Sequence, residues 1–199
     1  MSLLSEVTEQ SVVLDYGCGS GYFLESLRAT INCEAVGYDK FMDSDLEYTF
    51  KEFTQVEKTD FYDYVTCFET LEHCHPPEQR KILGRLVTVL KPKGKIVISV
   101  PIEIGPIALL KNLFRLKTKD ASFPDFTLWN IIKAVFLKPT TWHRDTLDYP
   151  GHFGWDHRKL EKVFAEFDML VTTKKSYSPF NEIKTFFFNS QVFYTLTKK

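Results

Sequence analysis

Apolar runs of strand length alternate with runs of helical spacing along the first half of the chain, which restricts it to an α/β domain built on a parallel sheet. Ser11-Val-Val-Leu-Asp15 reads as a first strand, and Phe23, Leu24 and Leu27 as the apolar face of the helix after it. Glu34-Ala-Val-Gly-Tyr-Asp39, Tyr62-Asp-Tyr-Val-Thr-Cys67 and Lys95-Ile-Val-Ile-Ser-Val100 read as further strands. Pro76 and Pro77 open a helix with Ile82, Leu83, Leu86, Val87 and Leu90 on one face, and Lys91-Pro-Lys-Gly94 stops it. A weaker stretch from Tyr48 to Val56 holds a short strand and a helical turn. Leu160, Val163, Phe164 and Phe167 mark one more helix, and Met169–Ser176 and Gln191–Thr197 read as two closing strands.

At 199 residues the chain makes one domain, 1–199, with a sizeable core. With 25 basic against 26 acidic side chains it carries a formal net charge of −1, which disfavours a nucleic acid as partner. The longest apolar stretch, Phe126 to Leu137, is broken by Asn130 and Lys133 and falls short of the roughly 20 residues of a membrane helix. Met1 to Gln10 contains Glu6 and Glu9 and no long apolar centre, so no secretory signal is expected. Cys18, Cys33, Cys67 and Cys74 show no paired spacing and read as reduced thiols of a cytoplasmic protein.

Asp15-Tyr-Gly17-Cys-Gly19-Ser-Gly21 lies between the first strand and its helix, where glycines let the backbone turn sharply and approach a ligand. The third glycine comes one residue earlier than in a dinucleotide fingerprint. Asp39, ending the second strand, stands where a carboxylate accepts hydrogen bonds from both hydroxyls of an unphosphorylated ribose. At these residues the sequence resembles the class I S-adenosylmethionine-dependent methyltransferases. Val13 to Phe23 is similar to that family's first motif and Asp39 to its ribose-binding acid; Asp63 to His73 resembles its fourth-strand motif and Leu90 to Ser99 its fifth.

The resemblance implies a three-layer, Rossmann-like, seven-stranded sheet, mostly parallel with the last strand antiparallel, and S-adenosyl-L-methionine as cofactor. It implies cofactor contacts from Asp15, Gly17, Cys18, Gly19, Gly21, Tyr22, Asp39, Lys40, Cys67 and Phe68. The family's usual amino-terminal cover helices have no counterpart before the first strand, and the third-strand region lacks a recognisable adenine-contacting acid.

Methyl transfer is a direct displacement, so the acceptor must be aligned, and a hydroxyl acceptor needs a base or a metal. Glu69, Glu72 and His73 follow the fourth strand, and i to i+3 spacing puts both carboxylates on one face of a helical turn. His152, in Gly151-His-Phe-Gly-Trp155, approaches from across the cleft. Glu69, Glu72, His73 and His152 resemble the metal site of small-RNA 3'-terminal 2'-O-methyltransferases, and Thr66–His73 resembles the same stretch in polyprenyl-benzoquinol O-methyltransferases. A divalent cation on these four residues and a metal-free base, His73 or His152 with Glu69 beside it, therefore both stand, the base being favoured over the metal. Beside them stands a third reading, in which the Glu-His pair, as in metal-free members of the family, caps the next helix and lines the methionine pocket. The reading is methyl transfer to a small molecule, at a hydroxyl oxygen; RNA 2'-O transfer and a non-catalytic cofactor-binding module are the alternatives. Trp155 is expected in the acceptor cleft, and His75, His143 and His157 at the surface or at helix starts.

Residues 104–149 form a helical insertion after the fifth strand, long for a connection in a compact domain. Ile107, Leu110, Leu113 and Phe114 fit one amphipathic segment and Leu128, Ile131, Ile132, Val135 and Phe136 another. Lys111, Arg115, Lys117, Lys119, Lys133, Lys138 and Arg144 exceed Asp120, Asp125, Asp145 and Asp148 by three. A lid that packs its apolar face on the domain and turns its lysines to water is expected. A lid that admits an apolar or lipid-linked acceptor, with weak membrane-surface contact, is the sharper version.

Overall fold

In a computed structural model the structure describes residues 6–118, 126–138, 151–183, 185 and 187–199. Lys119, Asp120, Asp125, His143, Arg144, Asp145 and Asp148 lie outside them.

The strands are β1 (Val12–Tyr16), β2 (Glu34–Tyr38), β3 (Thr49–Phe50), β4 (Tyr62–Phe68), β5 (Leu90–Pro101), β6 (Leu170–Ser178) and β7 (Gln191–Lys198). They form one sheet in the order β3-β2-β1-β4-β5-β7-β6. β1 to β5 pair in parallel, and β7 runs antiparallel to both β5 and β6, as the motif resemblance implies. The central strands are apolar on both faces: Val13, Leu14, Val65, Ile96, Val97 and Ile98 are fully buried. Such two-sided burial is what layers of helix over a parallel sheet require.

The helices are α1 (Tyr22–Ile31), α2 (Pro76–Val89), α3 (Pro106–Thr118), α4 (Leu128–Val135) and α5 (His157–Phe164). α1 buries Leu24 and Leu27, and α2 buries Ile82, Leu83, Leu86 and Val87, on the faces that the spacing predicts. One boundary differs. β5 begins at Leu90, opposite Tyr62, and Lys91–Gly94 bulge out before pairing resumes at Lys95 opposite Tyr64. Lys93 adopts φ +64 within this excursion. The pairing of Leu90 with Tyr62 is a long-range contact that local spacing does not encode.

β1 has β2 on one side and β4 on the other, all parallel, so their carboxyl ends share one edge. The connections after β1 and β4 leave from that edge, the place where ligands bind in open α/β sheets.

Candidate active site

The loop after β1 is tied down by its neighbour. The amides of Gly17 and Cys18 donate to the Tyr38 carbonyl at 2.7 and 3.1 Å. Gly17 sits at φ +79, and a Cβ there would lie 2.2 Å from Thr70 Oγ1, so the loop after β1 presses directly on the connection after β4. Gly19, at φ +56, has nothing within 4 Å of the place its Cβ would take: backbone exposed to open space, as a cradle for a ligand requires.

Asp39 directly follows β2. Its Oδ2 accepts from the Gly19 amide at 2.9 Å, and its Oδ1 accepts from the amides of Phe41 and Met42, each at 2.9 Å. Three amides therefore fix one carboxylate against the glycine loop, and it lines a small cavity with Cys18, Gly19, Met42, Ser44 and Thr49. Such a carboxylate is already oriented before a diol arrives.

The remaining residues implied for the cofactor divide. Asp15 is buried and accepts from Thr66 Oγ1 at 2.7 Å; burial pushes its carboxyl up to about 7 against the pull of that bond. Cys18 and Cys67 are buried, and burial raises both thiols, Cys18 to about 12. Neither is a nucleophile. Phe68 sets its ring edge-on to Phe23, with centroids 5.1 Å apart. Tyr22 is 80% exposed and Lys40 also points to solvent, outside the lining of the Asp39 cavity.

After β4 the backbone turns left-handed at Glu69, φ +48, and then forms a single 3₁₀ turn over Leu71–His73. The expected common face of Glu69 and Glu72 is not formed, because that kink separates them. Glu69 Oε1 accepts from Ser99 Oγ and from Gln191 Nε2, each at 3.0 Å, which draws it toward β5 and β7. Glu72 is fully buried and faces two imidazoles: Oε1 lies 3.4 Å from His152 Nδ1 and 3.7 Å from His73 Nε2. The two rings meet edge to face with centroids 5.0 Å apart. One donor atom from each of Glu72, His73 and His152 falls within 4.8 Å of the others. Three of the four cluster residues are therefore together, with Glu69 outside that donor set. Burial, and the neighbouring His73, lower His152 to about 4, so its imidazole is neutral at ordinary pH.

His152 and Glu69 line an open cleft of about 720 Å³ with Pro101, Leu110, Phe114 and Gln191. Sequence spacing missed the group that shapes its wall. Glu103, just beyond β5 and 2% exposed, accepts from Lys111 Nζ at 2.9 Å and from Arg115 Nη1 at 2.7 Å. Arg115 also donates to Asn112 Oδ1 at 3.0 Å. The i, i+4 spacing of the two cations is visible in the sequence; the acid that turns them inward is not, because it sits on another element. One further expectation is corrected. Trp155 is 4% exposed and packs in the main core, where its apolar ring is removed from water, and it does not line the cleft. His157 stands at the start of α5, as expected, and is buried there.

Among solved structures, an S-adenosylmethionine-dependent methyltransferase from Archaeoglobus fulgidus superposes with a TM-score of 0.61 at 16% identity, covering 100% of this chain and 90% of that one. A 1,6-didemethyltoxoflavin-N1-methyltransferase from Burkholderia thailandensis, with bound 1,6-didemethyltoxoflavin and S-adenosylhomocysteine, gives 0.62 at 15% identity, covering 100% and 75%. The ubiquinone biosynthesis O-methyltransferase of Aeromonas salmonicida is 31% identical over 113 residues, 49% of this chain and 46% of that protein. The chain thus aligns with a little under half the length of the curated relatives it matches. Residues 3–143 match the family model described as a methyltransferase domain. With the glycine loop, the acid after β2 and the antiparallel β7 in place, the chain belongs to the methyltransferase domain family and has the class I fold of its S-adenosylmethionine-dependent members.

Proposed function

We propose that the protein transfers a methyl group from S-adenosylmethionine to a hydroxyl oxygen of a small molecule. The contact of Gly17 with Thr70 carries this reading, since it sets a ribose-type acid and a carboxylate-imidazole cluster side by side at one sheet edge. The residues fit the cofactor: Gly19 offers unobstructed backbone and Asp39 a fixed charged acceptor for the ribose hydroxyls. The cofactor, when bound, supplies an electrophilic methyl group on a sulfonium. Gly17, Gly19 and the backbone at Cys67 and Phe68 position its methionine end. Cys18, Gly21, Tyr22 and Lys40 remain candidates at the margins.

His152 lines the cleft taken for the acceptor, and His73 lies against it with ring centroids 5.0 Å apart. A base works best with a pKa near the operating pH, and His152, lowered to about 4, is a weak proton acceptor. We therefore assign His152 to hydrogen bonding with the acceptor and His73 to removing its proton, with Glu72 orienting both rings. Glu69, held by Ser99 and Gln191, borders the acceptor space.

The donor spacing of Glu72, His73 and His152 supports a second reading, in which these three hold a divalent cation that polarises the acceptor hydroxyl. The likeness to the Aeromonas protein, named an O-methyltransferase, supports oxygen as the methylated atom. No helix among the described residues is long and apolar enough to cross a membrane.

The test is methyl transfer from labelled S-adenosylmethionine to a panel of phenols and catechols, with and without chelator. Transfer that survives chelator and is lost in His73→Ala supports the base. Transfer abolished by chelator and restored by Mg²⁺ supports the cation. Labelling of amines alone refutes the hydroxyl assignment.

A further inference from the structure

α3 is turned the opposite way from an ordinary surface helix. Its inward stripe is small and polar: Ala108 and Asn112 are buried, and Lys111 and Arg115 reach Glu103. Its outward stripe is apolar, with Leu110, Leu113 and Phe114 at 64%, 54% and 67% exposed. α4 buries Ile131 and Ala134, yet it too leaves apolar side chains outward, with Leu128, Trp129 and, just past its end, Phe136 at 74%, 64% and 69%. On α3 the expected packing of the apolar face on the domain is thus reversed, and Glu103 is the reason, whereas α4 does pack Ile131 inward on Phe153. Glu103 is almost wholly buried, so the two cations must face it, and the leucines on the other side of α3 are left outward.

We infer that this face docks on an anionic lipid surface. The charges favour that occupant. Residues 106–118 and 126–138 contain no acid, and with Lys111 and Arg115 engaged by Glu103, the exposed cations are Lys117 and Lys138. Lys133 stands at the margin, its Nζ 5.6 Å from the Trp129 ring centre. Among the described residues of these two segments, apolar side chains are bordered by cations, with an indole among them, which matches the interface between head groups and acyl chains. A second copy of the chain fits less well, since apposing two such faces sets like charges against each other. The surface is continuous with the acceptor cleft, which Leu110 and Phe114 also line. Delivery of an apolar acceptor from the membrane rests on the proposed methyl transfer; the docking itself does not.

Sedimentation with vesicles of phosphatidylcholine, alone or mixed with phosphatidylglycerol, tests the inference on the full chain. Binding is expected on the mixed vesicles and should weaken with salt. Leu113→Asp with Trp129→Asp should reduce it at least tenfold or so. Lys117→Glu with Lys133→Glu should reduce it by about fivefold or more per cation, on the mixed vesicles only. Both variants should keep the wild-type melting temperature and S-adenosylhomocysteine affinity, so that failure of docking and failure of the cofactor reading are told apart. Equal binding to both vesicle types, no binding to either, or undiminished binding of the Leu113→Asp, Trp129→Asp variant would overturn the inference. So would a wild-type dimer in light scattering that this variant dissolves, which would make the face a contact between copies.

Discussion

Replacing Glu103 by Gln keeps the shape of the side chain and removes the charge that sets the rotation of α3. Lys111 and Arg115 are then left 25% and 17% exposed, with their N–H groups aimed at a neutral amide. Breaking a fully buried pair costs about 3 to 5 kcal/mol; because both cations keep some water, about 2 to 3 kcal/mol is the proper range here. If that cost falls on α3 alone, the population in which the helix is detached rises by a factor of about 30 to 150. Hydrogen exchange followed by mass spectrometry reads this directly. Amides of α3 after Pro106 should exchange faster by that factor, while those of β5 from Ile96 to Val100, buried in the sheet, should not change. A change under about threefold in α3, or one spread evenly over the sheet, would refute the idea that Glu103 orients the helix.

Two other substitutions bear on the site and its support. Gly17→Ala places a Cβ 2.2 Å from Thr70 Oγ1 at φ +79, and titration calorimetry should show S-adenosylhomocysteine bound at least tenfold or so more weakly. His157, lowered to about 4 by burial, stays neutral in the fold, whereas in the unfolded chain it takes a proton below about 6.5. Its contribution is present above pH 6.5 and is lost as pH falls toward 4, a gap of roughly 3 kcal/mol. Denaturant unfolding at pH 7 and 4.5 should show a smaller acid loss in His157→Gln than in the wild type; equal losses would count against the assignment.

What could be read from the sequence was local. Asp15 to Gly21 announces its turn because the residues that shape it are neighbours in the chain, and the helix faces of α1 and α2 follow from a spacing of three and four. Residues whose direction is set by a distant partner could not be read that way. Glu69 is turned by Ser99 and by Gln191, 122 positions away, so helical spacing wrongly paired it with Glu72. The periodicity of α3 showed two faces but not which one meets the domain. That depended on one buried acid beyond β5, and burial of a charge overrode the usual inward preference of leucine and phenylalanine. His152 reached the His73 cluster as expected, whereas Trp155, three residues on, went into the core.

If Asp39 and the glycine loop hold the ribose end of S-adenosylmethionine, binding of S-adenosylhomocysteine by titration calorimetry shows it without any acceptor. The wild type should bind, and Asp39→Ala should bind at least about tenfold more weakly, since each hydrogen bond to a charged acceptor is worth about 1.5 to 3 kcal/mol. Absence of binding by the folded wild type, or equal affinity in Asp39→Ala, would contradict it.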